Sequence, residues 1–470
     1  MAGQPVCCGG RGRVCSRTGL RLVAGKEHAE FRGEGPIVMV SGEHTHTGPM
    51  ARVEATGAVL MRDVPAEADP AGLPSVSSWV VEVHEGPDAV HTLTDEWHAL
   101  AVCCGQDIHF FQTPEWGLAW IRHGRGARQE VPVLVSVRDR AGRLVLLWPL
   151  MRTRFGPLRL LRWLSDPFSQ YGDVLSRLHG AALQSALVAS WRAIVDIANV
   201  DIIRLRHVRG DALVSDFLAA RCRQAEAEGA PALDLSQIPD EAAYEARFDR
   251  RQRRRRRRIR RRLEAAFGPV TFHRITEPGA LRQAVARLIE EKRKWLDARG
   301  LYSRPLKWPG LAQVFESVHA LAGTLHDADA NGEGPELVVT EMRAGERPVS
   351  WELGFRFRGR HYCYITAHDH ALTDLSPGRL HMHLSQLQAL KDGVRVFDLL
   401  VPAAPHKESW SDHVVAVRDH YLPLTLKGRL IGEGYLRIAR PLARQLYLAA
   451  PDSLRHLAAR LLRGSPPPRG

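Results

Sequence analysis

The chain has 470 residues, 44% of them hydrophobic and 25% charged, which excludes disorder throughout and leaves room for two domains plus tails. Its net charge of +13 suggests an anionic partner, yet eleven charges are the arginines from Arg250 to Arg262, interrupted only by Gln252 and Ile259, so 13 − 11 leaves +2 elsewhere. Seven cysteines without CxxC pairing exclude a secreted disulfide framework and point to no metal site, and no apolar run approaches the roughly 20 residues of a membrane helix, so the expected location is the cytoplasm.

Residues 1–75 are rich in Gly, His and Pro without sustained periodicity and are expected to be a disordered tail. Order is predicted from Trp79, with a strand at 79–83 and a helix at 88–101. Thr113 is placed to cap a helix beginning at Pro114 and Glu115, which sets Trp116 and Trp120 on one face. Strand patterns at 131–137 and 143–150 flank a polar turn containing Gly142 and predict a hairpin, followed by a helix at 183–197 and a strand at 201–205. The arginine run reads as an amphipathic helix with Phe248, Ile259, Leu263 and Phe267 on its dry side. Beyond it come a strand at 270–275, a helix at 281–299, a hairpin at 336–358, a strand at 361–366, a helix at 378–391 and a strand at 394–400. Both halves thus show helix, hairpin, strand, helix, strand. This predicts an α/β fold with a mixed sheet and two similar domains, at 76–245 and 246–435, followed by a C-terminal helix and a Pro-rich tail at 436–470.

Three places carry candidate chemistry. Ser376, Pro377, Gly378 and Arg379 open a helix after a strand: Ser376 as a cap, Pro377 at the first position, Gly378 for close approach and Arg379 as a charge suit a pyrophosphate at the positive end of a helix dipole. Asp398, a carboxylate in an apolar strand, either positions an amine or arginine or is a structural acid at the strand's exposed face, and Lys407 and Trp410 follow it. Lys292 and Trp295, three residues apart, form one face that either lines a substrate groove or divides between solvent and core. The arginine run lacks interleaved aromatics for base stacking, so a solvated helix is favoured over a nucleic-acid site.

Phe111-Gln112-Thr113-Pro114-Glu115-Trp116, Trp148-Pro149-Leu150, Asp166-Pro167 and Tyr171-Gly172-Asp173 stand in an order that resembles the CelD/BcsL-type acetyltransferases of the GNAT superfamily. The basic helix ending Arg261-Arg262-Leu263-Glu264, the Lys292 and Trp295 pair, Ser376-Pro377-Gly378, Phe397-Asp398 and Lys407 with Trp410 extend the resemblance over residues 90–425. That family is similar to the tandem GNAT folds of the Fem peptidyltransferases and is linked to cellulose or exopolysaccharide production. The resemblance implies transfer of an acyl group from acetyl-CoA or another acyl-CoA to an amine or hydroxyl of a small-molecule or saccharide acceptor, in the C-terminal domain only and without a metal. The strand 361–366 would flank the pantetheine, Asp369, His368 and Asp398 are the candidate bases, and Tyr364 is the candidate proton donor to the leaving thiolate. Ser376, Gly378 and Arg379 depart from the usual GNAT pyrophosphate loop. Two other functions fit the same sequence: a Fem-like transferase using aminoacyl-tRNA, and a non-catalytic basic scaffold for nucleic acid or anionic polymer.

Overall fold

The computed structural model describes residues 79–124, 130–301, 303, 305–325, 334–451 and 453–454; the tail expected at 1–75 and the end of the segment 436–470 lie outside these. One mixed sheet of thirteen strands organises them. In chain order these are β1 (Val80–Glu85), β2 (Val131–Arg138), β3 (Leu144–Phe155), β4 (Leu158–Trp163), β5 (Leu175–Ser176), β6 (Ile202–Arg209), β7 (Arg223–Asp234), β8 (Val270–Arg274), β9 (Glu336–Ala344), β10 (Arg347–Phe357), β11 (Arg360–His368), β12 (Val396–Asp398) and β13 (His413–Pro423). Across the sheet the order is β1-β2-β3-β4-β6-β13-β7-β12-β11-β10-β9-β8, with β5 beside β3.

The two ends of this order are alike. An antiparallel meander, β2-β3-β4 on one side and β9-β10-β11 on the other, gives way through a helix to a parallel neighbour, β6 or β12. This repeated unit gives two similar mixed α/β halves, and the hairpins expected at 131–150 and 336–358 are β2-β3 and β9-β10. In the middle the halves exchange strands. β7, which follows β6 in sequence, pairs with β12, and β13, which follows β12, pairs with β6; β7 and β13 pair with each other. The sheet therefore runs without a break from one half to the other.

Helices cover both faces: α1 (Thr94–Cys104), α2 (Pro114–Ala119), α3 (Gly180–Val195), α4 (Arg250–Phe267), α5 (Pro278–Ala298), α6 (Leu311–Leu325), α7 (Pro377–Lys391) and α8 (Arg440–Ala449). As expected, Thr113 caps α2 through the Trp116 amide, and Trp116 and Trp120 are both buried. Trp97, Trp116, Leu288, Phe315, Val339 and Phe355 belong to one large core that joins α1, α2, α5 and α6 across the two halves. On the opposite face of the C-terminal half, Ile259 and Leu263 of α4 pack with Met342 and with Leu380 of α7. Asp249 and Gln252 form a reciprocal capping box at the start of α4, which holds the arginines in a regular helix with only Ile259, Leu263 and Arg256 buried.

Candidate functional site

Strand β11 departs from regular geometry halfway along. Leu353 of β10 faces Ile365 but Gly354 faces Cys363, so Tyr364 is an extra residue held in a bulge. Gly354 is needed opposite, since a Cβ there would lie 2.7 Å from both the His361 ring and the Tyr362 carbonyl oxygen. Toward β12 the pairing is parallel and lasts three residue pairs, ending at Tyr362 and Asp398, while β11 continues to His368. The pairing with β12 thus stops just before the bulge, which opens β11 on that side. Leu400 adopts φ 61 there, and its carbonyl and that of Val401 accept hydrogen bonds from Lys407 Nζ at 3.0 and 3.2 Å.

Four of the sequence-predicted residues meet beside this opening. Lys292 and Trp295 on α5 are buried, with Lys292 Nζ 4.7 Å and the Arg299 guanidinium 4.2 Å from the Trp295 ring centre. Burial, with Lys407 and Arg299 nearby, pushes the Lys292 ammonium down to about 7, and burial pushes Lys407 down to about 8. His368 at the end of β11 is lowered to about 4 by burial and by the Lys292 and Arg299 charges, so its imidazole is neutral at pH 7. The Trp295 indole Nε1 is buried and makes no hydrogen bond among the described residues. Thus the alternative that Lys292 is solvated while Trp295 is core does not hold; both are inside.

The remaining candidates sit elsewhere. Pro377 does open α7, but Ser376 adopts the left-handed conformation at φ 54, ψ 48 and its side chain makes no cap bond, contrary to the expected cap. Arg379 in the first turn of α7 lies 5.9 Å from the Trp410 ring, and Trp410 packs against Phe248. Asp398 is not at an exposed face. It is fully buried and accepts from Tyr171 Oη at 2.7 Å, Arg360 Nη1 at 3.0 Å, Arg209 Nη1 at 3.3 Å and the Leu400 amide at 2.9 Å. Asp369 accepts the Ala371 amide and pairs with Arg347. The Tyr364 hydroxyl donates to the Phe168 carbonyl at 2.7 Å, which ties the bulge to the N-terminal half.

Sequence reasoning named Tyr171 only within a motif and missed Arg209 and Arg360; their shared partner Asp398 is distant in sequence. It also missed Glu352 and His361, a buried pair at 2.7 Å on the opposite face of the sheet from α5. The alternation of charged residues inside otherwise apolar β6, β10 and β11 is the one sequence signal for them. Among the described residues no group of His, Cys, Asp and Glu is disposed to hold a metal ion.

The counterpart opening in the N-terminal half is filled by its own chain. β4 and β6 pair in parallel only at Leu160 with Ile202 and Leu161 with Ile203. Past that point the Gly172 amide donates to the His207 carbonyl at 3.1 Å, and a Cβ at Gly172 would meet the Trp163 indole at 1.9 Å.

No curated protein matches the chain in sequence. Among solved structures it is similar to FemX (TM-score 0.48, 11% identity, 73% of this chain and 98% of that one). It is also similar to L-PGS from Bacillus licheniformis (0.41, 11%, 75% and 95%) and to a tandem GNAT protein from the clavulanic acid biosynthesis pathway (0.38, 12%, 74% and 99%). The family whose sequence pattern matches is "Acetyltransferase (GNAT) domain", over residues 250–408, the span that holds α5, the bulged β11, α7 and β12. The match of residues 250–408 to an acetyltransferase (GNAT) domain makes the chain an acyltransferase.

Proposed function

We propose that the protein transfers an acyl group from an acyl-CoA to an amine or hydroxyl acceptor at the opening between β11 and β12. The observation that carries this reading is the bulge at Tyr364 beside a parallel pair that ends after three residues, within the matched domain. The edge of β11 past the end of β12 is read as the track of the pantetheine arm, and the first turn of α7 with Arg379 suits the pyrophosphate. The filled opening in the N-terminal half supports one donor site per chain.

In the reaction the acceptor nitrogen or oxygen attacks the thioester carbon, the C–S bond breaks, and CoA leaves as thiolate. Lys292 is best matched to take the acceptor's proton, because an amine brought down to about 7 is partly neutral at working pH. Buried and partly neutral, it combines basicity with nearness to His368, Lys407 and Trp295 Nε1, which orient the acceptor. Asp398 and Asp369, each held by arginine, are assigned to structure. A saccharide acceptor, and with it a cellulose or exopolysaccharide role in the cytoplasm, rests on the sequence resemblance.

Titration calorimetry of the full chain with acetyl-CoA and with a longer acyl-CoA tests the reading. One site per chain is expected. Absence of binding to either, together with tight binding of aminoacyl-tRNA, would replace acyl-CoA by the tRNA-linked donor.

A further inference from the structure

The C-terminal helical segment presents apolar side chains outward on a basic background. After β13 the chain winds as a short helix at Leu426–Arg429, a π-type stretch at Leu430–Ala439 and then α8. Its inner side is fixed to the sheet. Leu436 packs with Leu158, Ile202 and Tyr421, Gly432 lies so near the Tyr421 ring that a Cβ would meet it at 2.7 Å, and Arg440 pairs with Glu226. With that side anchored, Leu426, Leu430, Ile438, Leu442 and Leu446 face out at 76%, 69%, 63%, 53% and 63% exposure. Phe155, 66% exposed at the β3-β4 turn, is the register partner of Leu158 in the same small core.

A soluble surface seldom leaves so many large apolar residues in one segment. Residues 426–449 contain Lys427, Arg429, Arg437, Arg440 and Arg444 against Glu433, and Glu226 neutralises Arg440, so 5 − 1 − 1 leaves +3 for the segment. A second copy of this face would bring +3 against +3, which disfavours self-pairing. Leucines on one side and cations around them suit a surface that is apolar beneath and anionic at its rim. Among the described residues no helix is long and apolar enough to cross a membrane, so the segment would lie in the interface plane.

We propose that residues 426–449, with Phe155, dock this protein on a lipid bilayer rich in anionic phospholipid. The full chain should sediment with phosphatidylcholine vesicles containing phosphatidylglycerol and much less with phosphatidylcholine alone. The triple variant Leu430→Ser, Ile438→Ser, Leu442→Ser should keep its melting temperature and lose vesicle affinity by more than about tenfold. Lys427→Gln, Arg429→Gln and Arg437→Gln should each lower affinity for the anionic vesicles about fivefold at low salt. No vesicle binding by the full chain would overturn the proposal. So would full binding by the leucine variant, which would assign the lipid contact to the α4 arginines, or a dimer that the leucine variant dissolves, which would assign the face to a second copy.

Discussion

The Tyr171 hydroxyl of the N-terminal half donates to Asp398 Oδ1 of the C-terminal half at 2.7 Å, between residues 227 positions apart. With Arg209 from β6 and Arg360 from β11 on the other carboxylate oxygen, one buried acid draws in groups from both halves. Burial, reinforced by the Asp398 charge, raises the Tyr171 phenol well above its ordinary value, so it stays a donor.

Asp398→Asn should therefore act on stability first. It leaves two buried guanidinium groups facing a neutral amide, a loss of about 3 kcal/mol or more, while Tyr171→Phe should cost about 1 to 2 kcal/mol. Urea midpoints measure both. An Asp398→Asn protein with unchanged midpoint and abolished transferase activity would instead make the carboxylate part of the chemistry.

Lys292 gives a pH signature. Its folded value near 7 lies below the ordinary 10.5, so between these the unfolded chain holds a proton that the folded chain lacks, and stability rises with pH. From pH 7 to 9 the wild type should gain up to about 2 kcal/mol more than Lys292→Met, since each unit of unmatched proton uptake is worth about 1.4 kcal/mol. Parallel stability curves for the two proteins would show that the amine is not held neutral.

The arginine run divides into two classes. Arg256 is buried, pairs with Glu245 at 2.5 Å and lies 4.1 Å from the Phe248 ring, so Arg256→Gln should cost about 2 kcal/mol. Gln at the exposed Arg254, Arg257, Arg258 and Arg261 should leave the melting temperature equal or slightly higher, by relief of a few tenths of a kcal/mol per like-charge pair. In the same fourfold variant any binding to tRNA should weaken and lose salt dependence. Equal destabilisation by both changes would contradict the division.

Residues 246–435 expressed alone should fail to fold cooperatively, because β12 loses β7 and β13 loses both β7 and β6. Circular dichroism during heating would show no sharp transition, whereas a sharp one with native helix content would mean that the half completes its sheet without the exchange.

Much of each half was legible in the sequence because its hairpins and capped helices are local. Thr113 with Pro114 and the turns at Gly142 and Gly345 specify their elements within a few residues. β7 was not legible: RQAEAEGAPALD is rich in Ala and Glu and contains Gly229 and Pro231, residues that argue against a central strand, yet it lies between β12 and β13. Neighbouring strands override its propensity. In the site, Lys292 with Trp295 was legible as a pair at helical spacing. Its meeting with Lys407 and His368 was not, since they come from three elements joined only by the fold. Asp398 stood out as a charge in an apolar strand, but its three side-chain partners do not adjoin it in sequence.

The exchanged central strands also impose an order of events during synthesis. When residues 79–234 have left the ribosome, β6 still has an unpaired edge and β7 has neither of its neighbours, and the last partner they need is β13, completed only at Pro423. Nearly the whole chain must be made before the middle of the sheet can close. A nascent chain stalled at any earlier point carries an open strand edge exposed to other chains, so aggregation risk is concentrated in translation rather than in the finished protein.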